Sequence, residues 1–181
     1  MKAVLLVCMA MAAGPVVAAG TDSTTVVCRN LGHGRVFARA GCNLAATPAD
    51  VMALLTDFGA VADYVGTVDS SRVVGRDSLG IHVRQVATSH FLFDYTVHLT
   101  LRFRLESERV LRFEIVEGDF PVYFGDWTCV PAGDAARLTY TVTCKPPAFV
   151  PRAIACHVIE RDLRRLMPEI AAELARRRAG E

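Results

Sequence analysis

Among the side chains able to exchange a proton near neutral pH, His82, His90, His98 and His157 fall within patterned sequence, and their neighbours decide what each can do. Asp94 and His98 stand four apart in an alternating run, on the face that also carries Thr96, Thr100, Arg102 and Arg104, so the pair reads as solvated. His82 and Arg84 share a face of the preceding run in the same way, and His90 sits where the two runs join. His157 borders an apolar helical stripe, where an imidazole facing a cavity would serve as general acid or base. No Ser-His-Asp order, paired carboxylates, phosphate-cradling glycine loop or metal-ligand spacing accompanies them. The reading therefore names no catalytic residue, no metal and no cofactor.

Cysteine is the other reactive type. Cys28, Cys42, Cys129, Cys144 and Cys156 lie beyond the leader described below, an odd number, so at least one thiol stays free or pairs with another chain. None of their spacings suits zinc, and bridges or small buried apolar groups are the roles they fit. Connectivity stays open.

The elements that position these groups are led by one long alternating run. From Phe91 to Leu105 the odd positions are apolar (Phe91, Phe93, Tyr95, Val97, Leu99, Leu101, Phe103, Leu105) and the even ones mostly polar, the mark of a strand with one dry face. Strands commonly run about 5–6 residues, so one this long must bend around something. Its aromatic dry side suits the wall of an apolar cavity.

Around it the order of elements is regular. Arg35 to Ala46 reads as a strand, Thr47-Pro48 opens a short helix with Thr47 as N-cap, and Phe58 to Tyr64 forms a second short helix. Strands follow at Val68–Gly75, Leu79–Ser89, the long run, Val110–Glu117, Phe120–Val130 and Arg137–Cys144, and Gly125 predicts a bulge or sharp bend in the sixth. Lys145-Pro146-Pro147 stops the last strand. From about Pro151, Ile154, Val158, Leu163, Leu166, Ile170 and Leu174 make one stripe of a long helix, in which Pro168 predicts a kink or a tolerated break.

At 181 residues and 52% hydrophobic, the chain suits one well-cored domain. A net charge of +1 gives no electrostatic case for nucleic acid. Met1-Lys2, an apolar run to Met11 and small residues at Ala18-Ala19 predict a secretory signal peptide over 1–19, and hence a periplasmic or secreted protein. Residues 20–34 then read as a polar N-terminal extension and 35–181 as the domain.

In that order, Asp57-Phe58 followed by Tyr64, then Gly125-Asp126-Trp127-Thr128, then Lys145-Pro146-Pro147 before a long amphipathic helix, resemble the START-like, helix-grip superfamily. That superfamily includes polyketide cyclase/dehydrase and coenzyme-Q-binding proteins, plant pathogenesis-related class ten proteins and lipid-transfer START domains. The resemblance covers about Arg35 to Leu174 and implies an α+β fold: a seven-stranded curved antiparallel sheet around the C-terminal helix, with two short helices after the first strand plugging one end of a cavity. On this reading Phe93, Tyr95, Val97, Phe113, Phe124, Trp127, Tyr140 and His157 are the candidates for the cavity wall.

The function expected is binding or carriage of a hydrophobic small molecule: a lipid, isoprenoid quinone or polyketide-like compound. Access is expected through the short helices at Asp57–Tyr64 or the loop at Lys145–Val150. One rival is a cyclase, dehydratase or isomerase using polar groups in the same cavity. Another is an interaction module whose sheet face, or whose Arg176-Arg177-Arg178 tail, makes transient contact with a protein or an anionic membrane. Oligomeric state is left open.

Overall fold

The computed structural model describes residues 24–90, 94–148, 150 and 152–180. The expected signal peptide lies outside the described residues. The chain runs β1 (Thr25–Gly32), β2 (Arg35–Leu44), α1 (Pro48–Thr56), α2 (Val61–Tyr64), β3 (Val68–Asp77), β4 (Gly80–His90), β5 (Asp94–Ser107), β6 (Val110–Gly118), β7 (Val122–Ala132), β8 (Ala135–Lys145) and α3 (Arg152–Ala179). The strands form one antiparallel sheet in the order β1-β2-β8-β7-β6-β5-β4-β3. This is one strand more than the sequence reading gave: β1 lies inside the supposed extension, paired along β2 from Thr25 opposite Gly41 to Gly32 opposite Arg35.

Local chemistry accounts for the elements. In β2, Val36, Ala38, Ala40, Cys42 and Leu44 alternate inward and are buried, and the small Ala38 and Ala40 leave room for α3 to lie close. A capping box starts α1: the Asp50 amide donates to Thr47 Oγ1 at 3.2 Å, the Thr47 amide donates to Asp50 Oδ2 at 3.2 Å, and Pro48 occupies the first turn. The β1–β2 turn needs three successive left-handed residues, Gly32 at φ 81°, His33 at φ 51° and Gly34 at φ 73°, and two of them are glycine.

On β5 the expected alternation holds, with Val97, Leu99, Leu101 and Phe103 buried and Asp94, Thr96, His98 and Arg104 exposed. Leu105 departs from it at 56% exposure, because the register shifts there and the strand overruns the core. A second shift, between Thr100 and Leu101, leaves Val116 as an extra residue on β6, a bulge that adds local twist to the β5–β6 pair.

The sheet's curl follows from what α3 touches. Cys156 is disulfide-bonded to Cys28 on the edge strand β1, with Cα atoms 5.6 Å apart, while Asp162 accepts a hydrogen bond from Ser89 on β4 at 3.0 Å. Six strand spacings of about 4.8 Å would separate β1 from β4 by roughly 29 Å in a flat sheet. Positions 156 and 162 are only about 9 Å apart along a helix. The sheet therefore wraps α3. Cys42, Cys129 and Cys144 are buried free thiols, and burial pushes their pKa values up to about 11, 11 and 12.

α3 continues through Pro168, which is exposed. Near its end the buried Glu173 accepts from Arg176 Nη2 at 2.8 Å and Arg177 Nε at 2.7 Å, and Arg177 reaches Asp57 after α1 at 2.9 Å. Those two guanidinium groups hold the Glu173 carboxyl down at about 2. A depressed carboxylate contributes stability above its unfolded pKa and loses it as pH falls toward the folded one. Glu173→Gln is therefore expected to lower stability at pH 7 and to flatten the stability change between about pH 4.5 and 2, read by urea melts across that range. An unchanged acid limb would remove this ion pair as a source of acid sensitivity.

Candidate ligand cavity

Between the concave face of the sheet and α3 lies a partly open cavity of about 260 Å³, close to the lower end of the roughly 300–1,000 Å³ common for small-molecule sites. Val97, Leu99, Leu101 and Phe103 of β5, Phe113 of β6 and Trp127 of β7 form one wall, with Tyr140, Val142 and Cys144 of β8. Val158, Leu163, Leu166 and Ile170 of α3 form the other, and Phe58, Val61 and Tyr64 close the end beside α2. The aromatic rings touch in series. Phe58 lies 4.7 Å from Phe103, Phe103 5.9 Å from Phe113, Phe113 stacks on Tyr140 at 5.6 Å, and Tyr140 meets Trp127 at 4.3 Å.

Gly125 makes that series fit. It stands on β7 between the inward-facing Tyr123 and Trp127, so a side chain there would point into the wall, where Phe113 Cζ already lies 2.8 Å from the position a Cβ would take. The expected bulge is absent. Register runs unbroken through Gly125, opposite Phe113 on one side and Val142 on the other.

Polar side chains, Thr67, Gln85 and Thr88 among them, interrupt the apolar lining, and two hydrogen-bonded groups stand out. The Tyr123 and Tyr140 hydroxyls are 3.0 Å apart; burial pushes Tyr123 up to about 12 and raises Tyr140 well above the ordinary tyrosine value. Both are neutral phenols at physiological pH, able to hydrogen-bond but not to act as bases. The second group joins β4 to α3. Ser89, only 7% exposed, donates to Asp162 Oδ2 at 3.0 Å and accepts from Arg161 Nη2 at 3.1 Å. Arg161 also grips Asp162 Oδ1 through Nε at 3.1 Å and Nη2 at 2.7 Å. Tyr95 shares a hydrogen bond with Ser89, and burial raises its pKa.

Of the residues expected at the wall, Tyr95, Val97, Phe113, Trp127 and Tyr140 line the cavity. Phe93 lies outside the described residues. Phe124 is a correction. It is 48% exposed on the outer face, between Glu114 and Thr143, because an unbroken strand cannot point positions 124 and 127 the same way. His157 is a second correction: it is exposed and does not line the cavity, since its neighbour Val158 takes the inward position on α3. Asp94 and His98 are exposed, as expected, and His82 bonds Asp77 at 2.9 Å on the outer face.

Sequence reasoning missed Tyr123, Ser89 and Asp162. Each had a signal: Tyr123 is four before Trp127, Ser89 continues the inward positions Val83, Gln85 and Ala87, and Asp162 falls one turn from both Val158 and Leu166. Among the described residues, no group of three or more His, Cys, Asp or Glu is placed to hold a metal ion.

The architecture has known counterparts. A STAR-related lipid transfer protein from Xanthomonas axonopodis superposes with a TM-score of 0.66 at 20% identity, covering 87% of this chain and 97% of its own. A START superfamily protein from Mycobacterium smegmatis gives 0.69 at 14%, covering 77% and 97%. The Zhui aromatase/cyclase from Streptomyces sp. R1128 gives 0.68 at 16%, covering 79% and 95%. At such identities these likenesses establish the shared helix-grip fold. Comparison with curated proteins finds no match. Residues 44–169, well over half of the sequence, match the family described as polyketide cyclase / dehydrase and lipid transport, and the chain belongs to that family.

Proposed function

We propose that this protein is an exported carrier that binds a hydrophobic small molecule, of the lipid, isoprenoid quinone or polyketide-like class, in the cavity beneath α3. The observation that carries the proposal is the aromatic and aliphatic wall of that partly open cavity. A ligand hiding about 300 Å² of apolar surface gains roughly 7.5 kcal/mol from desolvation, which exceeds association costs that begin near about 4 kcal/mol. Export is supported by the signal-like leader and by the Cys28–Cys156 disulfide, a bond suited to an oxidising compartment.

Cyclase or dehydratase chemistry has less support. Among the described residues lining the cavity there is no histidine, the paired phenols stay protonated and so can donate but not abstract a proton, and the one carboxylate, Asp162, is held by Arg161. Membrane contact through the C-terminal arginines is weakened in the same way, because Arg176 and Arg177 bind Glu173 and Arg178 binds the Ala45 carbonyl.

The test is purification of the exported form, native and denaturing mass spectrometry for a co-purifying apolar compound, and thermal melts with a panel of lipids and quinones. A ligand at a hundred times its Kd should add about 2.7 kcal/mol, a Tm rise of roughly 5–10 °C for a domain of this size. Val97→Phe, which fills the cavity from β5, is expected to fold and to abolish that rise. Repeatedly empty preparations with an unmoved Tm would overturn the proposal.

A further inference from the structure

The cluster of Ser89, Tyr95, Arg161 and Asp162 ties β4 to α3, and of the polar groups lining the cavity, which include Thr67, Gln85 and Thr88, it holds the one carboxylate. A serine hydroxyl has one proton and two lone pairs. Ser89 gives its proton to Asp162 and accepts from Arg161, and Tyr95 also bonds it, so Ser89 has no capacity left for a ligand. A carboxylate offers about four acceptor positions. Asp162 uses two on Oδ1, both toward Arg161, and one on Oδ2, toward Ser89. One acceptor position on Oδ2 is left over, on a half-buried carboxylate that lines the cavity.

From this valence count we infer that the cavity selects an apolar molecule bearing a hydroxyl group, whose O–H donates to Asp162 Oδ2 while its hydrocarbon body lies on the aromatic wall. The inference rests on the cavity-binding reading above and adds a chemical class to it. A ligand with only an ether or ester oxygen at that end has no proton to give and would leave the acceptor desolvated and unpaired. A ligand carboxylate would meet Asp162 with like charge, and Arg161, already holding Asp162 and Ser89, is poorly placed to offset it.

The experiment titrates the full mature protein with three probes of equal chain length: decanol, decyl methyl ether and decanoate. Binding is followed by calorimetry and by the fluorescence of Trp127, the single tryptophan, which lines the cavity. Decanol is expected to bind roughly tenfold tighter than the ether, and decanoate more weakly than both. In Asp162→Ala both the acceptor and its negative charge are gone, so decanol should bind no better than the ether and decanoate should gain relative to both. Equal affinity for decanol and the ether in the unmodified protein overturns the hydroxyl assignment even if the variant fails to fold, and leaves cavity binding standing. Failure of all three probes to bind counts instead against the carrier reading itself.

Discussion

Gly125→Ala is expected to cost about 3 kcal/mol or more and to disable the cavity together with the fold. The alanine Cβ would overlap the Thr141 carbonyl oxygen of β8 and come within 2.8 Å of Phe113 Cζ. Backbone cannot yield without opening the β7–β8 ladder, and Phe113 cannot yield without losing its stack on Tyr140 at 5.6 Å. The penalty is one of space, since Gly125 is not among the residues with positive φ. Gly59→Ala provides the control: its Cβ would meet nothing within 4 Å, so a change within about 0.5 kcal/mol is expected. Chemical denaturation of both variants, with Trp127 fluorescence as the cavity probe, decides the matter. A Gly125→Ala protein as stable as Gly59→Ala would show that β7 and β8 do not approach as closely as described.

The second large effect is loss of the disulfide. Cys28 and Cys156 are 128 residues apart in sequence, and closing a loop of that length removes unfolded-state entropy worth about 5 kcal/mol. Domains have total stabilities of roughly 5–15 kcal/mol, so the double variant Cys28→Ser, Cys156→Ser should forfeit a large part of the whole. Urea midpoints of the variant, and of the parent with and without reductant, measure it. Reductant should lower the parent to the level of the variant and leave the variant unmoved. A difference below about 1 kcal/mol would mean that the bond contributes little.

Most of the fold was legible because its signals are local. The alternation of Val36, Ala38, Ala40, Cys42 and Leu44, the Thr47–Asp50 cap and the stripe through Val158, Leu163 and Ile170 can each be read within a dozen residues. β1 was not legible, since Arg29 to Gly32 are exposed and the strand has no sustained dry face to betray it. Its turn, Gly32-His33-Gly34, was the better clue. Phe124 faces outward because the strand runs unbroken where Gly125 predicts a bulge or sharp bend, and the role of Gly125 depends instead on Phe113 and Thr141 across the sheet. The join between Ser89 and Asp162 spans 73 residues, and no local pattern announces it.

α3 is tied to the rest of the fold covalently at Cys156, by the Ser89–Asp162 bond to β4, and near its end by the Arg177–Asp57 ion pair, the outer two about 30 Å apart along its axis. A beam moored at both ends cannot swing. If the cavity carries a cargo as proposed, the side left least covered for its exit is the one past α2, which buries none of its own residues, and the mostly exposed β3. Residence time would then be set by the breathing of that flank, and the compound could leave while the long helix stays berthed.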